Sequence, residues 1–343
     1  MKVRLLALIL CLPLLLSGCS FSSEDATEPH SVSFNAMDTY ATITAYGKKA
    51  ESALSAAQKR FLELEKMWSV TDEASDIYAA NHSGGGAVTV SDETAALLDF
   101  TLQMSTKTGG ALDPTIYPVL TAWGFTTEQY RIPSEEEIDA LLENVGYENV
   151  SLEGKTIQLE EGMMIDLGAV GKGYAGDIIS DLLRKNGITS ALLNLGGNVQ
   201  TIGTKPDGSK WRIGLQDPNG EGTIGVMEAS DVAVITSGCY ERYFIGSDGK
   251  KYGHIIDPKT GHPVDNGMLS VTIIAEEGRL CDSLSTSLFV MGLEGAAEYW
   301  RQNQDFEAIF MTSDNTLYLT EGLADNFMLY NDYGYLTVRV IVR

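Results

Sequence analysis

The chain has 343 residues, 44% hydrophobic and 21% charged, an ordinary make-up for a globular protein and enough for one large domain or two small ones. Its 24 Lys and Arg face 47 Asp and Glu, a formal net charge of −23. That charge excludes a general electrostatic grip on nucleic acid or an anionic membrane. It also repels an anionic nucleotide unless a local cation or a divalent metal reverses the field.

Residues 1–18 read as an export signal. Lys2 and Arg4 supply the positive start, and Leu5 to Leu16 form an apolar run too short for an ordinary transmembrane helix. Leu16-Ser17-Gly18-Cys19 resembles a bacterial lipobox, in which the cysteine takes the lipid and becomes the new N-terminus. Loss of Lys2 and Arg4 brings the mature chain near −25 (−23 minus 2). On this reading residues 19–30 are a polar lipidated tether, residues 31–343 form a single domain, and the protein is anchored to the cell membrane on its extracytoplasmic side. Cys239 and Cys281 remain, able to form one disulfide in an oxidising compartment if they meet. No CxxC or His-rich cluster suggests structural zinc.

Val32 to Tyr46 alternates and reads as one strand, followed by a helix from about Lys48 to Met67 and a polar loop from Ser69 to Asn81. Ser91 caps a helix that runs to about Thr106 and stops at Gly109-Gly110. Pro114 and Pro118 hold Asp113 in an ordered turn, where it also suits the N-cap of a short helix starting at Pro114. Ser134-Glu135-Glu136-Glu137 is a capping box, and Glu153-Gly154 joins two strands.

An apolar run ending at Ile165 then leads into Asp166-Leu167-Gly168-Ala169-Val170-Gly171-Lys172-Gly173-Tyr174-Ala175-Gly176-Asp177, with a helix-like run leading out. Clustered glycines let a ligand approach the backbone, and a helix start favours an anion such as a diphosphate. The stretch is neither a Walker A loop nor a Gly-x-Gly-x-x-Gly fingerprint, and alone it equally suits a tight strand-to-helix turn with a capping Asp. Ser190 to Leu195 is a strand ending in a second glycine turn, Gly196-Gly197-Asn198. If the strands on either side of the helix are neighbours, both turns face one cleft. Further strands follow at Trp211–Leu215, Asp231–Thr236, a hairpin around Ser247-Asp248-Gly249-Lys250, and Ser270–Ala275. Leu280 to Met291 reads as a helix, Phe306–Met311 pairs with Thr316–Leu319, and Tyr335–Val342 is a final strand. Strands and helices mix without strict alternation, which predicts an α+β fold with largely antiparallel sheets and packed helices; two similar halves are left open.

Three groups stand out chemically. Asp282 and Thr286 share a helix face, with Ser285 adjacent, and offer hard oxygen donors suited to Mg²⁺; a helix-start Asp with solvated hydroxyls fits the same pattern. His254 ends a strand beside a Pro-containing turn, as a general base or as a hydrogen-bonded structural histidine. Lys172 is a cation at a helix start, a position the helix dipole disfavours unless an anion is near.

Taken together these segments resemble the FAD:protein FMN transferase family, the ApbE-like flavin transferases. The resemblance rests on Ala111–Pro118 with Ala122-Trp123-Gly124-Phe125, Asp166–Asp177, Asn194–Asn198, Thr236-Ser237-Gly238, Tyr240–Tyr243, His254–Gly261 and Asp282–Gly292, in family order. It implies a lipoprotein enzyme with FAD bound in a central cleft together with Mg²⁺. The reaction implied moves FMN from FAD onto a Thr or Ser of a target flavoprotein and releases AMP. Carried over by position, Met37, Ala111, Leu112, Asp113, Asp166, Lys172 and Ile256 would line FAD. Ala169 (through its carbonyl), Asp282, Ser285 and Thr286 would surround the metal, and His254 with Asp282 would be catalytic.

The chain departs from the family pattern at Asp38, where members often carry Gly and Asp takes a positive φ less easily, and near Ser69-Val70-Thr71, where relatives often place a Tyr suited to stacking on adenine and Trp68 is the nearest aromatic here. Ser285 stands where some members have a second acid. Cys239 and Cys281 would lie near the site. The same pocket would serve an FAD pyrophosphatase giving FMN and AMP, or a non-catalytic flavin-binding lipoprotein; AMP release without an acceptor separates the first, tight FAD binding without AMP the second.

Overall fold

The structure, a computed structural model, describes residues 27–343; the expected export signal and Cys19 lie outside the described residues. Residues 32–46, expected as one strand, form a hairpin of β1 (Pro29–Ala36) and β2 (Thr39–Tyr46). It reverses at Met37 and Asp38, whose φ values are +50° and +55°. Two central residues at positive φ make the two-residue turn whose twist matches the strands, and Asp tolerates it better than most residues. Asp38 thus takes the conformation that its replacement of Gly argued against, and with no glycine to mark it the reversal was unreadable. Pro29 and His30, expected in the tether, begin β1.

Next come α1 (Ala50–Trp68) and α2 (Asp76–Asn81). The second lies in the stretch expected as loop; Ser75 Oγ caps it by accepting from Tyr78 N at 2.8 Å. β3 (Val88–Thr89), α3 (Asp92–Lys107), α4 (Tyr117–Ala122), α5 (Glu135–Leu142), β4 (Ser151–Glu153) and β5 (Thr156–Gln158) lead to α6 (Gly168–Lys185). Ser91 and Ser134 cap α3 and α5 as their patterns predict. Then follow β6 (Ala191–Leu195), β7 (Asn198–Ile202), β8 (Trp211–Gln216), β9 (Thr223–Ala229), β10 (Ala233–Gly238), β11 (Tyr243–Ile245), β12 (Lys251–Gly253) and β13 (Met268–Ala275). The chain closes with α7 (Gly278–Gln302), β14 (Glu307–Thr312), β15 (Thr316–Thr320), β16 (Phe327–Leu329) and β17 (Thr337–Ile341). Alternation missed β7, which follows the Gly196-Gly197 turn directly, and β9, interrupted by Gly225.

The main sheet has nine strands in the order β1-β2-β6-β7-β10-β13-β14-β15-β17, antiparallel except for the β15–β17 pair. This is the expected α+β, largely antiparallel architecture. Its faces follow the strand period of two. Ala233, Ile235, Ile273, Ala308 and Phe310 join the core beneath the helices, while Val234, Ile274, Ile309 and Met311 join a second core with β8 and β9. A three-stranded sheet, β16-β9-β8, covers that second face. β5 pairs with β3 and β4 in a separate sheet, so it is not the neighbour of β6 that the cleft argument required. What brings the glycine turn at 196–197 to the site is the β2–β6–β7 pairing instead.

The stretch Asp166–Asp177 is mostly helix. Gly168 already starts α6, and Leu167 rather than Asp166 is its N-cap, although Asp166 Oδ1 accepts from Gly168 N at 2.9 Å. The glycines serve helix packing. A Cβ on Gly173 would stand 2.2 Å from Gly278 O and 2.7 Å from Asp282 Cβ, and one on Gly176 would stand 2.3 Å from Gln200 Nε2. Gln200 fills the crossing: its Nε2 donates to Gly173 O at 3.0 Å and its Oε1 accepts from Ser180 Oγ at 3.1 Å. Asp177 on α6 accepts from Gly278 N (2.6 Å) and Arg279 N (3.0 Å), binding the first turn of α7. Burial pushes its carboxyl up to about 6 despite those hydrogen bonds.

A methyl group at Gly173 has no room unless α6 and α7 separate. Gly173→Ala should lose about 1–3 kcal/mol of stability, read as a lower urea midpoint. An unchanged midpoint would contradict the tight crossing.

Candidate active site

Asp282 lies in the second turn of α7, 4% exposed, and each of its oxygens has a partner. Oδ2 accepts from Gly173 N at 2.8 Å and Oδ1 from Asn198 Nδ2 at 3.0 Å. Burial raises its carboxyl above the ordinary range, while the charge of Lys172, the Gly173 N–H and the Asn198 amide act against that rise. The helix crossing and the second glycine turn therefore meet on this one carboxylate.

The hydroxyls beside it form a chain. Ser285 Oγ donates to Asp282 O at 2.9 Å, Ser237 Oγ on β10 bonds to Ser285 Oγ at 2.8 Å, and it also lies 3.2 Å from Thr286 Oγ1. Ala169 is in the first turn of α6. The N–H four residues on, which a regular helix directs at the Ala169 carbonyl, is that of Gly173, engaged by Asp282. One carboxylate, hydroxyls and a helix-start carbonyl are hard donors, and Mg²⁺ characteristically uses one or two carboxylates with waters and substrate phosphates filling the rest. Among the described residues no group of three or more His, Cys, Asp or Glu comes together, and one carboxylate with neutral oxygens fits that partial mode.

Lys172 is the local cation. Its charge acts on Asp166, Glu241, His254 and Asp282 together. The surroundings of Asp166 raise its carboxyl, opposed by the Gly168 N–H and by Lys172 and Arg242 and reinforced by Asp38 across the β1–β2 turn. That turn abuts the glycine turn, since a Cβ on Gly196 would fall 1.8 Å from Thr39 Oγ1. Met37 N donates to Glu65 Oε1 at 2.6 Å, which fixes the turn to α1.

His254 follows β12. Its Nδ1 lies 3.1 Å from Arg242 O, an atom that can only accept, so Nδ1 carries the proton and Nε2 keeps a free lone pair. Burial, then the Arg242 and Lys172 charges, press its pKa down to about 4. The imidazole is neutral at pH 7.

The remaining expected residues are placed differently. Asp113 is buried with both oxygens engaged: Oδ1 accepts from Thr115 N (2.8 Å) and Thr115 Oγ1 (2.6 Å), and Oδ2 from Tyr147 N (3.1 Å). It caps the turn Pro114–Ile116, as its sequence context allowed. Ala111 and Leu112 are buried beside it. Ile256 belongs to a separate cluster with Trp123, Phe125 and Ile138. Trp68 packs into the core, edge-on to Tyr174 at 6.1 Å.

A cavity of about 470 Å³ is lined among others by Val70, Tyr78, His82, Tyr117, Thr121 and by Met164, which stands two residues before Asp166 in the chain. Tyr78 stacks on His82 at 3.8 Å and 18°. Tyr117 has its hydroxyl pushed up by burial and by the Asp166 charge. These aromatics, not Trp68, are the flat surfaces available there. Sequence reasoning gave no role to them, to Asn198 or to Ser237; the last two stood inside the quoted segments. Cys239 and Cys281 are both free thiols, and burial holds each well above its ordinary range.

Comparisons with known proteins place the chain in a family. Residues 37–310 match the ApbE family. The chain is 35% identical over 262 residues to an FAD:protein FMN transferase of Klebsiella pneumoniae, covering 75% of this chain and 81% of that one. It is 31% identical over 312 residues to one of Treponema pallidum, covering 84% and 86%. The crystal structure of the ApbE protein from Thermotoga maritima superposes with a TM-score of 0.82 at 33% identity, over 86% of this chain and 98% of that one. The apo form of the Pseudomonas stutzeri flavinyl transferase ApbE gives 0.76 at 29% identity, over 83% and 91%. The chain belongs to the ApbE family.

Proposed function

We propose that this protein is an Mg²⁺-dependent FMN transferase, lipid-anchored through Cys19 on the outer side of the cell membrane, that moves FMN from FAD onto a Ser or Thr hydroxyl of a target protein. Transfer of FMN from FAD to a protein is the activity its relatives are named for. The observation that carries it here is a neutral His254 with Nε2 free, grouped with Asp282 and Asp166 around the charge of Lys172. The anchor rests on the Leu16–Cys19 motif; among the described residues no helix is long and apolar enough to cross a membrane.

In this reading the flavin nucleotide lies along Asp166 and Lys172, and the adenine end enters the cavity beside Tyr78, His82 and Tyr117. Lys172 attracts the diphosphate against the negative field of the whole chain. Asp282, Ser285, Thr286 and the Ala169 carbonyl would hold Mg²⁺, with Asn198 and Gly173 N orienting the carboxylate. When bound, the ion supplies charge neutralisation on the phosphate oxygens. The acceptor O–H gives its proton to His254 Nε2 as its oxygen bonds to the FMN phosphorus. The bond between that phosphorus and the bridging oxygen breaks, and AMP leaves with the bridging oxygen. Ser237 positions the two hydroxyls of α7 from the neighbouring strand.

Incubation with FAD, Mg²⁺ and an extracytoplasmic acceptor should raise the acceptor's intact mass by one FMN moiety and release AMP. Acceptor-independent AMP release that the acceptor does not speed would instead identify a pyrophosphatase. Asp282→Ala should lower transfer roughly a hundredfold or more; parental labelling by this variant would remove Asp282 from the metal site.

The pKa of His254, about 4 against an ordinary 6.5, sets the pH dependence. Its base form prevails above about pH 4, and its contribution to stability is complete above 6.5 and lost as pH falls toward 4. An NMR titration of the imidazole should therefore show a midpoint near 4, and a midpoint near 6.5 would place His254 in open solvent.

A further inference from the structure

β11 and β12 form a two-stranded ribbon of their own that leads into the site. Arg242 precedes β11 and His254 follows β12, and His254 N donates to Arg242 O at 3.1 Å. On one face Phe244 and Tyr252 stack (5.3 Å, 21°), with Tyr130 on Phe244 at 5.2 Å and Trp123 near Tyr252 at 5.2 Å. The alternate residues Tyr243 and Ile245 are left 44% and 60% exposed. Tyr130 and Ile132 pack on the Phe244 face, beside Phe244 and Gly246 (Ile132 Cδ1 lies 3.0 Å from where a Cβ on Gly246 would stand), which leaves Tyr243 and Ile245 as the exposed apolar strip of the opposite face.

The main chain adds a second feature. Arg242 pairs with His254, and Gly246 N donates to Lys250 O at 2.9 Å. Hydrogen-bonded pairs alternate in an antiparallel ribbon, so the N–H and C=O groups of Tyr243 and Ile245 face away from β12. β11 is an open edge that runs from solvent toward Arg242 and His254. Charge is the third feature. Residues 242–251 carry Arg242, Lys250 and Lys251 against Asp248 alone, in a chain of formal net charge −23. Lys251 Nζ sits 3.9 Å over the Tyr243 ring.

We infer that this edge docks the acceptor polypeptide. An extended acidic segment adds to β11 as a third strand, covers Tyr243 and Ile245, meets Lys250 and Lys251, and delivers its Ser or Thr hydroxyl to His254. The inference rests on the transfer reading, because only a polypeptide acceptor needs several residues of docking surface beside the base. Main-chain pairing supplies affinity to many hydroxyl-bearing segments, and the exposed side chains supply selection among them. A second copy of this chain is a poorer occupant, since ribbon against ribbon sets cation against cation.

Two variants test it, Tyr243→Ser with Ile245→Ser and, separately, Lys250→Glu with Lys251→Glu, against the acceptor that the parent enzyme labels. Initial rates of FMN transfer are measured over acceptor concentration, with FAD binding followed by flavin fluorescence. Each variant should raise the acceptor KM by about tenfold or more, with kcat within about twofold and FAD affinity unchanged. The charge-reversed pair should also lose the parent's salt dependence. An unchanged acceptor KM in both variants, or an equal loss of FAD binding, overturns the assignment. So does a parent dimer that becomes monomeric in the serine variant, which would give the strip to self-association. A parent that binds FAD yet labels nothing overturns the transfer reading and the docking assignment with it.

Discussion

The structure depends on one buried carboxylate. Asp282 ties α7 to α6 through Gly173 N and to β7 through Asn198, so a single side chain fixes two helices and a strand. A carboxylate taken out of water costs several kcal/mol unless its lone pairs are met, and here both oxygens are. The arrangement requires the two helix backbones to come very close, which only glycine permits at position 173. Gln200 fills the remaining space and bonds the helix from the sheet side.

Electrostatics makes the same site distinctive within an acidic protein. With a net charge of −23, the chain presents a field hostile to a dinucleotide almost everywhere. Lys172 acts on four ionisable groups at once, and Arg242 reinforces it at Asp166 and His254. Burial does most to keep His254 neutral, and the two cations add to it. On the proposed reading, the group that would attract the phosphates also helps to keep the candidate base free of a proton.

Much of this was legible in sequence because its signals are local. Ser91 and Ser134 announce their helices, the Asp248-Gly249 turn announces its hairpin, and the four-residue spacing of Asp282 and Thr286 announces a shared face. The misreadings have a common origin. A glycine records that something approaches the backbone but not what approaches, and at Gly173 and Gly176 the neighbour is another part of the protein. Met37-Asp38 turned the chain without a glycine. Asn198 and Ser237 reach α7 from 84 and 48 residues away in the chain, a relation that no window of sequence displays.

The Gly173–Gly278 contact also acts as a ruler. The separation of α6 and α7 is set by bare backbone, so the space for the side chain at position 282 is set as well. An aspartate spans it; the extra methylene of a glutamate would have to displace a backbone N–H, a rigid neighbour. A carboxylate fixed in length and aim suits a small cation far better than a large one. On the metal reading proposed above, the spacing of two helices, rather than the number of acidic groups, would set which ion fits.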